Sequence, residues 1–299
     1  MIEVAAGVLT DPQGRVLLMQ RLPGKHLAGL WEFPGGKVEP DEAVKRALIR
    51  ELDEELGIEV LGAAPLISLP WRYPEKSIRL HALRVTAWRG EPRAREGHPL
   101  KWIAPRDMDA AEMPAADAPI VTALRLPPYY AILENAQAGR FTAGEALRQL
   151  RMPGADRERV RRVARRALAD DPGRRESLLV NHDIELAREL CVGVHLKSSQ
   201  LCELRERPLP RDSWVGVSCH GAEELERAAK LGADFATLSP VCATTSHPDA
   251  KPLGWEGFAQ LVADARLPVY ALGGVVPEDL DRARAAGAQG VAGIRAFLE

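Results

Sequence analysis

"FPGGKVEPDEAVKRALIRELDEELGI" (Phe33–Ile58) crowds Glu51, Glu54 and Glu55 onto one short segment, downstream of the glycine pair Gly35 and Gly36. Pro40 suits the first turn of a helix, Asp41 and Glu42 suit its positive end, and Gly57 suits a left-handed terminus. The spacing therefore predicts a helix from about Pro40 to Leu56. At about 100° per residue, Val44, Leu48, Leu52 and Leu56 form an apolar stripe that drifts by about 40° per step. Glu51 and Glu55 fall about 40° apart and Glu54 about 60° from Glu51, so all three share one side of the helix at the margin of the stripe. Carboxylates packed at a core edge repel one another and resist ionisation unless a cation neutralises them. A divalent metal resolves that conflict. Taken alone, the three glutamates also read as a solvated acidic face, with Arg50 paired to Glu54 at i,i+4.

Outward from this stretch, the first half carries short strand-like runs. "EVAAGVLT" (Glu3–Thr10) and "VLLMQR" (Val16–Arg21) flank the turn signal "DPQG" and predict a hairpin. "APLISLPWRY", "IRLHALRVTAW" and "LKWIAP" add further strands, and "MPAADAPIVTALRL" has helical spacing. An α+β domain is expected, ending at the paired prolines Pro127 and Pro128, which stop a helix and favour an extended connector. The predicted domains are residues 1–127 and 128–299.

The second half repeats a different unit. Strand candidates are Tyr129–Leu133, Leu147–Arg151, Ser177–Asn181, Val192–Leu196, Trp214–Ser218, Phe235–Ser239, Pro268–Leu272 and Gly290–Gly293. Helical segments such as "GAEELERAAKLGA" and "VPEDLDRARAAGA" separate most of them, which is the rhythm of a compact (β/α)8 TIM-type barrel. The chain left for it is shorter than the roughly 200–250 residues usual for that fold, so helices should be trimmed after the first and fourth strands.

Composition fits two soluble cores. The chain has 299 residues, 46% hydrophobic and 27% charged, without an apolar run near the roughly 20 residues that span a bilayer. The amino terminus lacks the pattern of a secretion signal, so a cytoplasmic protein without membrane partners is expected. Cys191, Cys202, Cys219 and Cys242 form no CxxC pair and are expected to be reduced and mostly buried. A net charge of −2 gives no general attraction to a polynucleotide, and the basic run "DRERVRRVARRAL" (Asp156–Leu168) reads as a solvated helix face.

The fuller pattern around the acidic helix is Gly36, Glu42, Arg50-Glu51-Leu52, Glu54-Glu55 and Gly57-Ile58. It matches G-x5-E-x7-R-E-U-x-E-E-x-G-U, with U aliphatic, at every fixed position, and the chain resembles the Nudix hydrolases. That resemblance implies a mixed sheet sandwiched by helices. It implies Mg2+, or Mn2+, held by Glu51, Glu54 and Glu55 with the Gly35 carbonyl and Glu96, and a box organised by Arg50 and Glu42. It makes Glu51 the first choice of catalytic base, with Arg50 and Glu96 completing the catalytic set. "RLPGKHLAGLWEFPGGK", "GEPRAREGHPLKWI" and "MPAADAPIV" further resemble the MutT subfamily of 8-oxo-dGTP diphosphatases. By that likeness Arg21 and His26 contact the nucleotide, Phe33 walls or stacks on the base, and Lys37 lies near the phosphates. Asp117 stands where the subfamily has a base-reading asparagine; a carboxylate accepts from purine N–H groups but donates to O6 only when protonated. The implied reaction converts a nucleoside triphosphate, 8-oxo-dGTP first, to its monophosphate and pyrophosphate, which serves nucleotide-pool sanitation.

"LLVNHDIELARELCVGVHLKSSQL", "GADFATLSPVCATTSHP" and "LPVYALGGVVPEDLDRARAAGAQGVAGIRAF" resemble the thiamine-phosphate synthase and TenI superfamily. The likeness implies a phosphate held by backbone N–H groups at Gly273, Gly274, Gly293 and Ile294, and a thiamine-related phosphate ligand. His182 and "KSSQ" (Lys197–Gln200) depart from the family's two metal-binding aspartates, with Asp183 as a substitute, which implies a metal-free TenI-like or non-catalytic role. His247 and Cys242 lie after the sixth strand, where barrel chemistry is expected. Two alternatives stay open. The first half could act on thiamine-related diphosphates, and the barrel could regulate it without catalysis.

Overall fold

The computed structural model describes residues 1–24, 26–134, 146–170, 172–244 and 250–294. The chain divides into two compact units, Met1–Arg125 and Leu126–Glu299. The division falls just before the expected Pro127–Pro128 boundary because Leu126 and Pro127 serve the second unit. Gln289 Nε2 donates to the Leu126 carbonyl at 3.0 Å, and the Tyr270 hydroxyl donates to the Pro127 carbonyl at 2.6 Å.

The first unit contains β1 (Ile2–Leu9), β2 (Val16–Gln20), β3 (Trp31–Glu32), β4 (Gly35–Lys37), α1 (Val44–Leu56), β5 (Glu59–Arg72), β6 (Ser77–Arg89), β7 (Leu100–Ile103) and α2 (Ala118–Arg125). One sheet runs β4-β1-β6-β5, with β1 and β6 parallel and the other pairs antiparallel. A second, antiparallel sheet runs β3-β2-β7. The expected hairpin between β1 and β2 is not formed: their pairing stops at a single bridge, Thr10 with Val16. Both edges of β1 are taken, one by β4 and the other by β6, which leaves none for β2. The "DPQG" turn itself forms, with the Asp11 carboxylate accepting from the Gln13 and Arg15 N–H groups.

Alternation along β1 explains why the sheet needs cover on both faces. Ala5 and Leu9 pack with Ala47, Leu48, Leu52 and Leu56 of α1, while Ala6 and Val8 pack with Ile120 and Val121 of α2. Each leucine so buried contributes about 1.5–3 kcal/mol. Helix α1 starts later than its sequence suggested. Asp41 adopts φ 63°, a left-handed conformation that stops a helix from beginning at Pro40, and Ala43 is extended. Its far end closes as expected on Gly57, at φ 71°.

The second unit is a closed parallel barrel. Its elements are β8 (Tyr129–Leu133), β9 (Ala146–Leu150), α3 (Arg157–Asp170), β10 (Leu178–Asn181), α4 (Ile184–Leu190), β11 (Gly193–Leu196), β12 (Val215–Cys219), α5 (Ala222–Leu231), β13 (Phe235–Leu238), α6 (Gly254–Val262), β14 (Val269–Leu272), α7 (Leu280–Ala285) and β15 (Gly290–Gly293). The fourth strand, β11, is followed by no α-helix before β12, only by a short 3-10 segment, Ser198–Cys202. Inward residues Tyr130, Leu147, Leu179, Phe235 and Tyr270 fill the interior, and outward residues such as Val180, Val194 and Val217 meet the helices. The basic run lies on α3, where Arg157 pairs with Asp183, Arg161 with Glu158 and Glu189, and Arg165 with Glu189. Contrary to the expectation of mostly buried thiols, Cys191 and Cys202 are exposed. Among the described residues, no helix is long and apolar enough to cross a membrane.

Candidate active site

The second half of α1 and the β4 strand build an acidic site around one guanidinium. Arg50 donates to Glu42 at 2.9 Å and 3.1 Å, to Glu51 at 2.8 Å, to Glu54 at 3.5 Å and to the Lys37 carbonyl at 3.0 Å. Glu42 therefore serves the box from a turn outside the helix rather than the helix's positive end, and its carboxyl sits below its ordinary pKa through the Arg50 and Glu39 hydrogen bonds. The two glycines are set by close approach. A Cβ on Gly35, which has φ 143°, would lie 2.1 Å from the Ala5 carbonyl oxygen, and one on Gly36 would lie 2.2 Å from the Glu51 carboxyl carbon. The Gly35 N–H donates to Glu55 at 2.9 Å.

Glu55 carries the electrostatic tension of the site. Burial pushes its carboxyl up to about 8, and the nearby Glu51, Glu32 and Glu96 push in the same direction. Glu96, on the loop between β6 and β7, also reaches His98 Nε2 at 3.3 Å. Among the described residues, no three acidic, His or Cys side chains already close on a single ion. Arg50 holds Glu51 and Glu54, and Glu55 faces the Gly35 N–H. The donors themselves fit a hard divalent cation: all are oxygens, and a buried, reluctantly ionised carboxyl among like charges is short of positive charge.

Near this array lies a second group of polar side chains, and Glu32 among them acts on Glu55. Arg21 pairs with Glu32 and donates to the His26 carbonyl at 2.6 Å. His26 Nε2 sits 3.1 Å from Glu75 and its ring meets Tyr73 edge-on at 5.7 Å. The Tyr73 hydroxyl accepts from the Ala116 N–H at 3.4 Å. Asp117 is buried at 6% exposure and accepts from the Phe33 N–H; burial first, then Glu32, raises its carboxyl pKa well above the ordinary value. Arg21 thus links to His26 and Glu32, and Asp117 feels the charges of Glu32 and Arg21, while the Lys37 side chain is exposed and only its carbonyl is engaged. Phe33 belongs to the core with Val8 and Ile120, so its backbone rather than its ring faces Asp117. Glu32 and Tyr73 were not singled out from sequence. The signal for Glu32 was its place beside Phe33, an acidic residue in an apolar "LWEF" run.

In the barrel, inward-facing polar residues gather at the last or next-to-last position of five adjacent strands: Gln149, Asn181, His195, Ser218 and Thr237. Gln149 donates to the Asn181 side chain at 2.8 Å. His195 lies between the Tyr130 hydroxyl at 2.9 Å and the Ser218 hydroxyl at 3.0 Å, and burial holds its pKa down to about 3, so the ring is neutral. The Thr237 hydroxyl is buried without a hydrogen-bond partner among the described residues. Carboxyl-terminal strand ends are where barrels carry their sites. Gly273 and Gly274 follow β14 and Gly293 ends β15, with Ile294 next; the two strands are neighbours, so these loops adjoin.

A NUDIX-domain family model matches residues 5–123, and a thiamine monophosphate synthase family model matches residues 125–297. The chain belongs to both families. Its NUDIX half is 40% identical over 121 residues to an 8-oxo-dGTP diphosphatase of Haemophilus influenzae, covering 40% of this chain and 89% of that protein. It is also 42% identical over 123 residues to a CTP pyrophosphohydrolase of Escherichia coli, covering 41% of this chain and 90% of that protein. The thiamine monophosphate synthase half is 34% identical over 127 residues to the thiamine-phosphate synthase of Lactococcus lactis subsp. cremoris, covering 41% of this chain and 58% of that protein. The protein is a NUDIX hydrolase with a second, barrel-shaped unit.

Within the thiamine monophosphate synthase unit, Asp183 is already engaged by other groups. Asp183 caps α4 by accepting from the Leu186 N–H at 3.1 Å and is clamped by Arg157 at 2.6 Å and 2.9 Å. Gln200 accepts from the Lys197 N–H at 3.0 Å and donates to the His182 carbonyl at 3.1 Å, so it ties two loops together. Cys242 donates its N–H to the Gly273 carbonyl at 2.9 Å, and burial pushes its thiol pKa up, which disfavours a thiolate nucleophile. His247 lies outside the described residues. The polar ring of the barrel escaped notice in the sequence because each member sits singly in a run that otherwise reads as apolar strand.

Proposed function

We propose that the NUDIX unit hydrolyses a nucleoside triphosphate to its monophosphate and pyrophosphate, with Mg2+, or Mn2+ in its place, and with 8-oxo-dGTP as the leading substrate. The observation that carries this reading is the Arg50-centred array of Glu42, Glu51 and Glu54, with Glu55 buried on the Gly35 N–H. A divalent ion bound to those oxygens would acidify an attacking water and neutralise charge on the leaving phosphate. Arg50 fixes where the Glu51 carboxylate points, and Glu51 takes the proton of the attacking water, with Glu96 the further acidic side chain at the site. Arg21, His26 and Asp117 hold the base, Phe33 walls it from the core side, and Lys37 serves the phosphates. The likeness to a CTP pyrophosphohydrolase supports a cytosine nucleotide as the second reading.

For the barrel we propose a metal-free site for a thiamine-related phosphate, with the phosphate on the loops at Gly273–Gly274 and Gly293–Ile294 and the organic part on the polar ring. The Thr237 hydroxyl, buried without a hydrogen-bond partner among the described residues, favours a ligand there. Comparing kcat/KM for 8-oxo-dGTP, CTP and dGTP with Mg2+ tests the first proposal. Selective cleavage of 8-oxo-dGTP with pyrophosphate as product is expected, and equal, feeble values for all three would rule out a sanitising role.

A further inference from the structure

The loop between β6 and β7 carries Glu96, and it is fastened on both sides of that residue. On one side it caps the carboxyl-terminal end of α1, where the last carbonyls of a helix lack partners within it. The Arg93 N–H donates to the Leu56 carbonyl at 3.0 Å, and the Arg95 N–H donates to the Glu55 carbonyl at 2.9 Å. The Arg95 guanidinium reaches further back along α1, donating to the Asp53 carbonyl at 2.9 Å and to the Asp53 carboxylate at 3.2 Å. A cation at this end also complements the helix dipole. Gly57 leaves the room for it, because a Cβ there would lie 2.6 Å from Arg95 Nε. On the other side of Glu96 the chain is held to β2. His98 Nδ1 donates to the Gln20 carbonyl at 3.0 Å, and the Gln20 N–H donates to the Pro99 carbonyl at 2.9 Å. Gly97, at φ 80°, makes the left-handed turn between the two fastenings.

The two arginines differ in what their side chains do. Arg93 turns its guanidinium to Glu91 in the same loop, whereas Arg95 turns its own to α1. Arg95 therefore ties the residue before Glu96, by backbone and by side chain, to the helix that carries Glu51, Glu54 and Glu55. Glu96 lies near enough to Glu55 for the two carboxylates to repel. Resting on the metal-dependent hydrolase reading above, we propose that Arg95 is a positioning residue that clamps the β6–β7 loop onto the end of α1 and so sets Glu96 beside the cation-binding carboxylates. The guanidinium itself touches neither cation nor substrate and acts through Glu96. At 55% exposure Arg95 adds little to the stability of the fold. Its effect on a cation is larger, because Mg2+ takes oxygens at about 2.0–2.1 Å in a strict geometry and a small drift of the loop carries Glu96 out of reach.

The test titrates the full chain with Mn2+, without substrate, and follows binding by electron paramagnetic resonance. The proteins are the wild type, Arg95→Ala, Arg95→Lys, Arg93→Ala, Glu96→Gln and the double variant Arg95→Ala with Glu96→Gln. Arg95→Ala should weaken Mn2+ binding by about tenfold, as loss of a group that orients a metal ligand does. Arg95→Lys keeps a cationic donor and should recover much of that loss, while Arg93→Ala should bind like the wild type. In the Glu96→Gln background, Arg95→Ala should cause no further loss, because its effect passes through Glu96. The full loss repeated in that background overturns the inference, and so does an Arg95→Ala variant that binds like the wild type or no worse than Arg93→Ala. Amide hydrogen exchange of the same proteins without metal reads the clamp directly. Residues 92–99 should exchange about tenfold faster in Arg95→Ala and at the wild-type rate in Arg93→Ala, and unchanged protection in Arg95→Ala overturns the inference. If the wild type binds no Mn2+, the metal-dependent reading fails by itself, and the exchange rates then decide whether Arg95 holds the loop.

Discussion

Glu55 shows how one side chain couples charge to function. Its folded-state pKa is raised to about 8, so the metal-free protein favours the protonated carboxyl. The stability this lends is complete below the unfolded value of 4.5 and is lost as pH rises through about 8. A cation needs the ionised form, so affinity for Mg2+ should weaken by up to about tenfold per pH unit below that point. Glu55→Gln should flatten the dependence, and calorimetric titration with Mg2+ across this range checks both. Glu51→Gln should lower kcat by about 10²–10⁴-fold if Glu51 takes the proton, with KM little altered. At this scale the acidic trio and the glycine pair were legible in the sequence because their relations are local, within one helix and the loop before it. Glu32 and the burial of Asp117 were not. They depend on Arg21 and on Phe33, which meet them only after the chain has folded back.

The helix α1 works as a beam with one buried edge and one acidic edge. Leu52→Ala, at a fully buried position against β1, should cost about 2–5 kcal/mol and lower Tm accordingly. Gly36→Ala is a sharper probe of the acidic edge, because the new methyl would occupy the place of the Glu51 carboxyl. Activity should fall strongly while Tm changes little, since Glu51 is a flexible side chain that can move aside. Elements themselves were largely readable from apolar periodicity, but their partners were not. The "DPQG" turn signal was correct, yet a hairpin requires a free edge, and β1 gives both of its edges to β4 and β6. The start of α1 was misplaced for a related reason: Pro40 and Asp41 look like a helix start, while Glu42 is drawn instead into the Arg50 network.

Across the whole molecule, two families occupy one chain, and each unit has a core of its own. The barrel was legible because repeated strand and helix segments leave a rhythm, whereas its polar ring exists only where five strands converge. Ser218→Ala should weaken binding of thiamine phosphate by the full chain while leaving nucleotide hydrolysis in place, and calorimetry beside a turnover assay separates the two effects. The most direct measurement follows the products formed from 8-oxo-dGTP by the full chain, with Mg2+ and again with a chelator, using phosphorus NMR. 8-oxo-dGMP and pyrophosphate are expected in equal amounts, with formation abolished by the chelator and by Glu54→Gln. Release of orthophosphate as the first product, or turnover that persists without a divalent cation, would contradict that expectation.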